Sequence, residues 1–486
     1  MSPGYGPNEE DMRPRTLSLA LAAALCAAGV TLATAPTASA STGDQRTVTQ
    51  PSLPSTCKPL TAALAAPSGR TFSSSQETAP PDTSRIQSAL NSCAGTGKAV
   101  VLEAGGSDTA FLSGPLTIGS GEYLVIDAGV TLFASRDAAN YQASSGATCG
   151  TVSSSTSSGC NPFITVDGAN SGIEGTQSSG HQGTIDGRGD LDVYGTSTTW
   201  WDLANTAKSN GGNQVNPRLI QANSADNFTV YDINLVDAAK QHLYYKSGNG
   251  LTVWGLRIRT PATARNTDGI DIDSSTNATV NDSWISAGDD CVALETNASA
   301  SSNTTVENTH CYGTHGISIG SETTYGVSSV QVQNNTVQGT DYNGTASTSA
   351  NGLRIKSYSK VGGTVSGVVF TSNCLTKEKD LLDFDPFYSS STGSKYPYFK
   401  SVTVNGVTAT GSLSGATSVL EGYSASYPLG LTLENVNLDA TSSTAKYANV
   451  QLYNSDVTPS GTGVTVTKTS GSGSAPSCSF PSFPAL

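Results

Sequence analysis

One phrase recurs through the middle of this chain: Asn227-Phe-Thr-Val230, Asn249-Gly-Leu-Thr-Val253, Asn277-Ala-Thr-Val280, Asn303-Thr-Thr-Val306 and a looser Val327-Ser-Ser-Val330. The closing valines step by 23 to 27 residues, the period of a solenoid coil. Between them stand short runs of β-formers broken by Gly and Asn turns, with scarcely any helical periodicity. A coil of that length built without helices reads as an all-β, single-stranded parallel β-helix. A β-sandwich is the competing architecture, but it has no reason to repeat one phrase at a fixed step. Echoes at 365–370, 402–404 and 431–433 extend the pattern toward the C-terminus, and insertions such as Gly339 to Asn351 must leave the body as loops. The segment 198–204, with Trp200 and Trp201, reads as another such loop; its adjacent tryptophans and Leu203 serve to anchor it to the body more readily than to stack on a ligand.

The ends of the chain read differently. Met12-Arg13-Pro14-Arg15, an apolar run from Leu17 to Leu32 and the small residues Ala38-Ser39-Ala40 form an export signal. Residues 1–40 are therefore expected to be removed, leaving 41–486 as one β-helical domain outside the cell, with no membrane span. Glu9, Glu10 and Asp11 are unusual before such a run and point to translation starting at Met12. With Cys26 gone, eight cysteines remain, and an exported chain favours disulfides between them. Sequence alone does not fix their connectivity; neighbours in order are the natural first guess, with Cys291–Cys311 linking successive coils and Cys149–Cys160 closing a Ser-rich loop. A helix from Asp82 to Cys93, with Ile86, Ala89, Leu90 and Cys93 on one face, is placed to cover the open end of the first coil. The formal charge of −13 disfavours nucleic acid as a partner. It permits an anionic sugar polymer if the binding groove is locally basic.

The stretch 266–291 carries the chemistry. Asp268 and Asp289 are 21 residues apart, with Asp290 following directly. On adjacent coils they would be separated by about 4.8 Å. Carboxylates so crowded cannot all ionise freely, so one proton is held to higher pH beside a remaining base. An acid beside a base is the equipment of glycoside hydrolysis. Further along stand His315, in THGISIGS, and Arg354 and Lys356, which share one face of a strand with Ile355 buried between them. Gly288 lets the backbone bend so that the two neighbouring aspartates converge. Each motif alone has an ordinary explanation: Asp-Asp after Gly is common in turns, Asp271 and Asp273 read as coil caps, and His181, His242 and His310 read as structural. Their succession, one per coil or nearly so, does not.

In this order the motifs Asn266-Thr267-Asp268, Gly288-Asp289-Asp290, Thr314-His315-Gly316 and Arg354-Ile355-Lys356, with TARNTDGIDI and GTIDGRG around them, make the chain resemble the bacterial polygalacturonases of glycoside hydrolase family 28. The resemblance covers the chain from about Cys57 onward. It implies a right-handed β-helix of the pectin-lyase-like kind and hydrolysis of α-1,4 bonds between galacturonic acid units of pectin, with inversion, by a secreted monomer that needs no cofactor and no metal. It implies Asp289 as the general acid, Asp268 and Asp290 as holders and activators of water, His315 beside the acid, and Arg354 with Lys356 binding a galacturonate carboxylate. Tyr388 resembles a tyrosine the family places on the leaving-group side. Thr314 stands where the family has glycine, which predicts a shifted turn or a narrower approach to His315. The bacterial likeness favours endo action over exo action or attack on another pectin backbone. Two rivals remain: a calcium-dependent pectate lyase on the same fold, and a noncatalytic glycan-binding β-helix.

Overall fold

The computed structural model describes residues 42–486, so the export signal read at 1–40 lies outside the described residues. The chain winds as a right-handed parallel β-helix. One face is an 11-stranded sheet running from Leu116–Ile118 through Leu243–Lys246, Ile270–Asp273, Val292–Glu295, Ile317–Ile319 and Asn351–Lys356 to Ser443–Lys446, with one strand from each coil. Every pairing in it is parallel and its central registers are unbroken. The remaining faces belong to a 23-stranded sheet.

The repeated phrase marks a ladder inside the helix. Val230 stands opposite Val253, Val253 opposite Val280, and Val280 opposite Val306, all fully buried. The expected next step, Val330, is corrected: Val306 pairs with Val332, and the ladder continues through Phe370, Val404, Leu433 and Leu452. The backbone gives the reason. Three residues before each inward side chain from Val230 to Val404 sits a residue of left-handed φ: Asn227 (55°), Gly250 (104°), Asn277 (54°), Asn303 (60°), Ser329 (57°), Gly367 (63°) and Ser401 (53°). Asn and Gly tolerate that conformation best, so where Ser takes the place the marker is lost from the sequence while the turn persists. Side-chain amides also link coil to coil, Asn277 Nδ2 donating to Asn249 Oδ1 at 2.8 Å and Asn303 Nδ2 to Asn277 Oδ1 at 3.2 Å.

The expected helix forms at Thr83–Cys93, with Ile86, Ala89, Leu90 and Cys93 buried against the first coil. Asp82 precedes it without capping it through its side chain; its carboxylate accepts from the Leu112 amide at 2.9 Å instead. All four disulfides join cysteines that are neighbours in order: Cys57–Cys93, Cys149–Cys160, Cys291–Cys311 and Cys374–Cys478. Trp200 and Trp201 open a helix, Trp200–Ser209, capped by Thr199 and Asp202, where a loop was expected. The T-x-x-D capping pattern was legible there. The tryptophans do anchor it: Trp200 is buried and Trp201 Nε1 donates to the Ala238 carbonyl at 2.9 Å. The insertion after Gly339 folds back on itself around Asp341, whose Oδ1 accepts from the amides of Asn343 and Thr345 at 2.9 and 2.8 Å.

The N-terminal part of the body is locked by a buried ion pair. Arg188, fully buried, donates from Nη1 and Nη2 to the two oxygens of the fully buried Glu77 at 2.8 and 3.0 Å, and from Nε to the Ala134 carbonyl at 2.7 Å. Arg136 Nε also reaches Glu77 Oε1, at 3.2 Å, so Glu77 keeps a partner if Arg188 is removed, whereas removing Glu77 leaves the Arg188 charge buried without an ion pair, a loss of about 3–5 kcal/mol. Glu77→Leu is expected to lower the free energy of unfolding in urea by that amount with an unchanged m-value; a value within experimental error of wild type would show that the pair contributes nothing net.

Candidate active site

Parallel register builds the site. Asp268, Asp290 and His315 each lie two residues before a paired strand residue, Ile270, Val292 and Ile317, and those three stand opposite one another on consecutive coils. Backbone bonds hold the turns that carry them: Gly269 N to Asp290 O at 2.9 Å, His315 N to Asp289 O at 2.8 Å and Cys291 N to Gly316 O at 2.9 Å. Gly288 is required here by close approach, because a Cβ on it would meet the Ala264 carbonyl oxygen at 2.0 Å. Thr314 itself takes no left-handed conformation, which falls to Gly313 and Gly316 (φ 62° and 89°). Its side chain is buried, its Oγ1 accepting from the Gly316 amide at 3.4 Å.

The side chains converge as their spacing suggested. Asp289 Oδ1 lies 2.8 Å from His315 Nδ1 and accepts from the Asp290 amide at 3.0 Å, while its Oδ2 accepts from Asn266 Nδ2 at 3.0 Å. Asp290 is clamped on both oxygens, by Ser318 Oγ and by Lys356 Nζ, each at 2.7 Å. Arg354 donates from Nε to Asp383 Oδ2 at 2.8 Å, and its guanidinium and the Lys356 ammonium each sit 5.1 Å from the centre of the Tyr388 ring. His242, buried beneath, holds the backbone of Asp268, its ring Nδ1 lying 3.0 Å from the Asp268 carbonyl oxygen. Burial pushes its imidazole down to about 4, so it serves there as a neutral ring.

Two further groups belong to the site that the sequence reading left out. Asp271 was taken as a coil cap, yet it projects from the outer face of its strand between the buried Ile270 and Ile272, and its Oδ2 is buried without a partner. Strict alternation along Ile-Asp-Ile-Asp was the available signal. Asp273 does behave as a cap, accepting from Tyr244 Oη at 2.6 Å and the Asn297 amide at 2.8 Å. Ser318 is the other addition, level with Arg354 on the neighbouring strand.

The carboxyls titrate apart. Burial, then the charges of Asp289, Asp271 and Asp290, raise Asp268 well above the ordinary carboxylate range. Burial raises Asp271 to about 8; Arg218 and Lys240 oppose the rise and Asp290 and Asp289 add to it. At Asp289 burial works upward too, but the hydrogen bond and charge of His315, with Lys356 behind it, outweigh burial and hold the carboxyl below its ordinary value. Burial works against the charge on Lys356, and Asp290 more than restores it. Asp289, Asp290 and His315 also offer ligand atoms within 4.8 Å of one another, a spacing a cation could bridge. A divalent ion there would compete with the Ser318 hydroxyl or the Lys356 ammonium for the Asp290 oxygens.

Residues 116–461 match the family model described as glycosyl hydrolases family 28. The chain is 38% identical to the polygalacturonase of Ralstonia nicotianae over 95% of its own length and 96% of that protein's. It is 40% identical to an endo-polygalacturonase of Pectobacterium carotovorum subsp. carotovorum, covering 83% of this chain and 92% of that one. The solved structure of a polygalacturonase from Erwinia carotovora ssp. carotovora superposes with a TM-score of 0.72 at 37% identity, covering 86% of this chain and all (100%) of the other.

The raised carboxyls fix a dependence on pH. Unfolded, Asp271 releases its proton near pH 4; folded, it releases it near 8. Between those values the folded chain binds more protons, so its stability falls as pH rises. Asp271→Asn lacks that loss. The variant is expected to be more stable than wild type at pH 8 by more than about 1.4 kcal/mol, the gap closing toward pH 4. Thermal unfolding of both proteins from pH 4 to 8 checks this, and a gap independent of pH would contradict it.

Proposed function

This chain belongs to glycosyl hydrolases family 28, and from that premise we propose that it hydrolyses the α-1,4 bonds of polygalacturonate, in endo fashion and with inversion, as an exported monomer acting without a metal. The observation that carries the reading is the convergence of three acids, a histidine and two cations in one patch. Four disulfides among the described residues support export. Among those residues no helix is long and apolar enough to cross a membrane. The relatives named polygalacturonase and endo-polygalacturonase support the polymer and the endo mode.

In this reading Asp289 protonates the leaving oxygen. Its carboxyl is held low in the free protein, so the proton must come through the pair it forms with His315. The 2.8 Å contact between its Oδ1 and the ring Nδ1 lets the two groups share one proton. Covering the site with a sugar removes water, and a neutral pair loses less by desolvation than an ion pair. The proton then moves from Nδ1 to the carboxyl and on to the leaving oxygen. Asp290, oriented by Lys356 and Ser318, and Asp268 hold the attacking water. A raised carboxyl such as Asp268 is the stronger base once ionised. Arg354, with Nη groups that form no hydrogen bond to the described residues, takes the carboxylate of a galacturonate against the Tyr388 ring.

A second stereochemical reading has one observation behind it. Asp289 and Asp290 present atoms within 4.8 Å, closer than the about 6.5–9.5 Å usual for inverting carboxyl pairs. Against a covalent role for Asp290 stands the occupation of both its oxygens by Lys356 and Ser318. The product decides: proton NMR taken early in the reaction is expected to show the β-anomer, and an α-anomer appearing first would make Asp290 a nucleophile. On polygalacturonate the wild type is expected to release a ladder of oligomers, with Asp289→Asn slower in kcat by about 10²–10⁴-fold and unchanged in fold. Monomer alone would mean exo action, an ultraviolet-absorbing unsaturated product lost in chelator would mean a lyase, and no new reducing ends would mean a binding module.

A further inference from the structure

Beside the acids, on their N-terminal side, lies a pocket of about 270 Å³ whose lining includes Lys208, Lys240, Arg265, Gln214, Gln241 and Asn266. None of the three cations forms a hydrogen bond or ion pair with the described residues. In a chain of formal charge −13, three unpaired cations around one small pocket are unusual, because surface charges of opposite sign are plentiful.

Lys240 is the most informative of them. It is only partly exposed, and burial, helped by the charge of Arg218, pushes its ammonium down to about 8, with Asp268 and Asp271 opposing the fall. An ammonium desolvated to that degree without a partner is an incomplete ion pair. The pocket also reaches the acids directly: Gln214 Nε2 donates to Asn266 Oδ1 at 2.9 Å, and Asn266 Nδ2 donates to Asp289 Oδ2.

Register fixes its place along the groove. Leu243, three residues after Lys240, pairs with Ile270, one coil before the coil of Val292. Arg354 and Lys356 lie on the strand two coils beyond that of Val292. Cations therefore flank the acids on both sides along the helix axis, four coils or about 19 Å apart. That span accommodates several sugars of an extended chain.

We propose that Lys240, with Arg265 and Lys208, forms a second carboxylate-binding subsite, which takes the uronate group of a sugar on the opposite side of the acids from Arg354 and Lys356. The ligand class rests on the polygalacturonate reading: a polymer with a carboxylate on every residue supplies an anion at this distance, whereas a neutral polysaccharide does not. The subsite makes the enzyme select substrates that carry free carboxylates on both sides of the cleaved bond.

Two measurements separate this inference from the reading it rests on. Release of reducing ends from polygalacturonate by the wild type tests the reading. Calorimetric affinity of Asp289→Asn and Asp289→Asn/Lys240→Met for a long galacturonate oligomer tests the subsite without turnover, with an expected weakening of about tenfold, which Lys240→Arg in place of Met restores. In the active background, Lys240→Met and Arg265→Met should each raise KM for long oligomers while kcat stays within about twofold, and should leave the shortest cleaved oligomer unaffected. A general structural loss would instead lower kcat on every substrate. Equal affinity of the two inactive proteins would overturn the subsite, whatever the wild type cleaves.

Discussion

One backbone feature underlies the central coils of this molecule: three residues before an inward apolar side chain, the chain turns through a left-handed residue. Asn227, Gly250, Asn277, Asn303, Ser329, Gly367 and Ser401 are those residues. Because the turn recurs at the same place, the strands that follow pair without slipping, and a one-residue slip would reverse every side chain between core and surface. The ladder from Val230 to Leu452 is the apolar consequence. The alignment of Asp268, Asp290 and His315 is the polar one, produced by the same register two residues ahead of each strand of the 11-stranded sheet.

Much of this was legible in the sequence because period carries it. The repeated phrase predicted the coil, order predicted the four disulfides, and helical spacing predicted Thr83–Cys93. What escaped is instructive in detail. Val332 was passed over for Val330 since both face inward and the Asn that marks the turn is replaced by Ser329, whose conformation cannot be read from its name. The helix at Trp200 was taken for a loop because its ten residues interrupt a β pattern, although Thr199 and Asp202 announced its start. Asp271 and Asp273 both read as caps; alternation puts both on the outer face, and what separates them is the partners that only Asp273 finds, Tyr244 and Asn297.

Apart from His315 beside Asp289, the partners of the charged groups were not legible. Arg354 and Lys356 read as two cations presented to a substrate, and the structure gives each a carboxylate first: Asp383 for one, Asp290 for the other. Asp383 comes from the following coil and Asp290 from two coils earlier, so no local pattern joins them. The same holds for Glu77 and Arg188, 111 positions apart and fully buried together. Long-range pairing of this kind depends on which coils carry insertions, and those lengths vary along the chain.

The electrostatics of the site follow from how unevenly these partners are distributed. Four carboxyls, Asp268, Asp271, Asp289 and Asp290, crowd one patch, but strong partners reach only two of them: His315 holds Asp289, and Lys356 with Ser318 holds Asp290. Asp268 and Asp271 have no ion pair among the described residues, so burial and the neighbouring carboxylates raise them. A uniform supply of cations would have left four carboxylates and no exchangeable proton, and a supply of none would have left four neutral acids. Holding Asp289 low while Asp268 and Asp271 rise is what gives the patch both a place to store a proton and a base to receive one. The instability of the raised pair is therefore a condition of the chemistry, and the stability that offsets it must come from elsewhere, from the buried ladder and the disulfide-braced coils on either side.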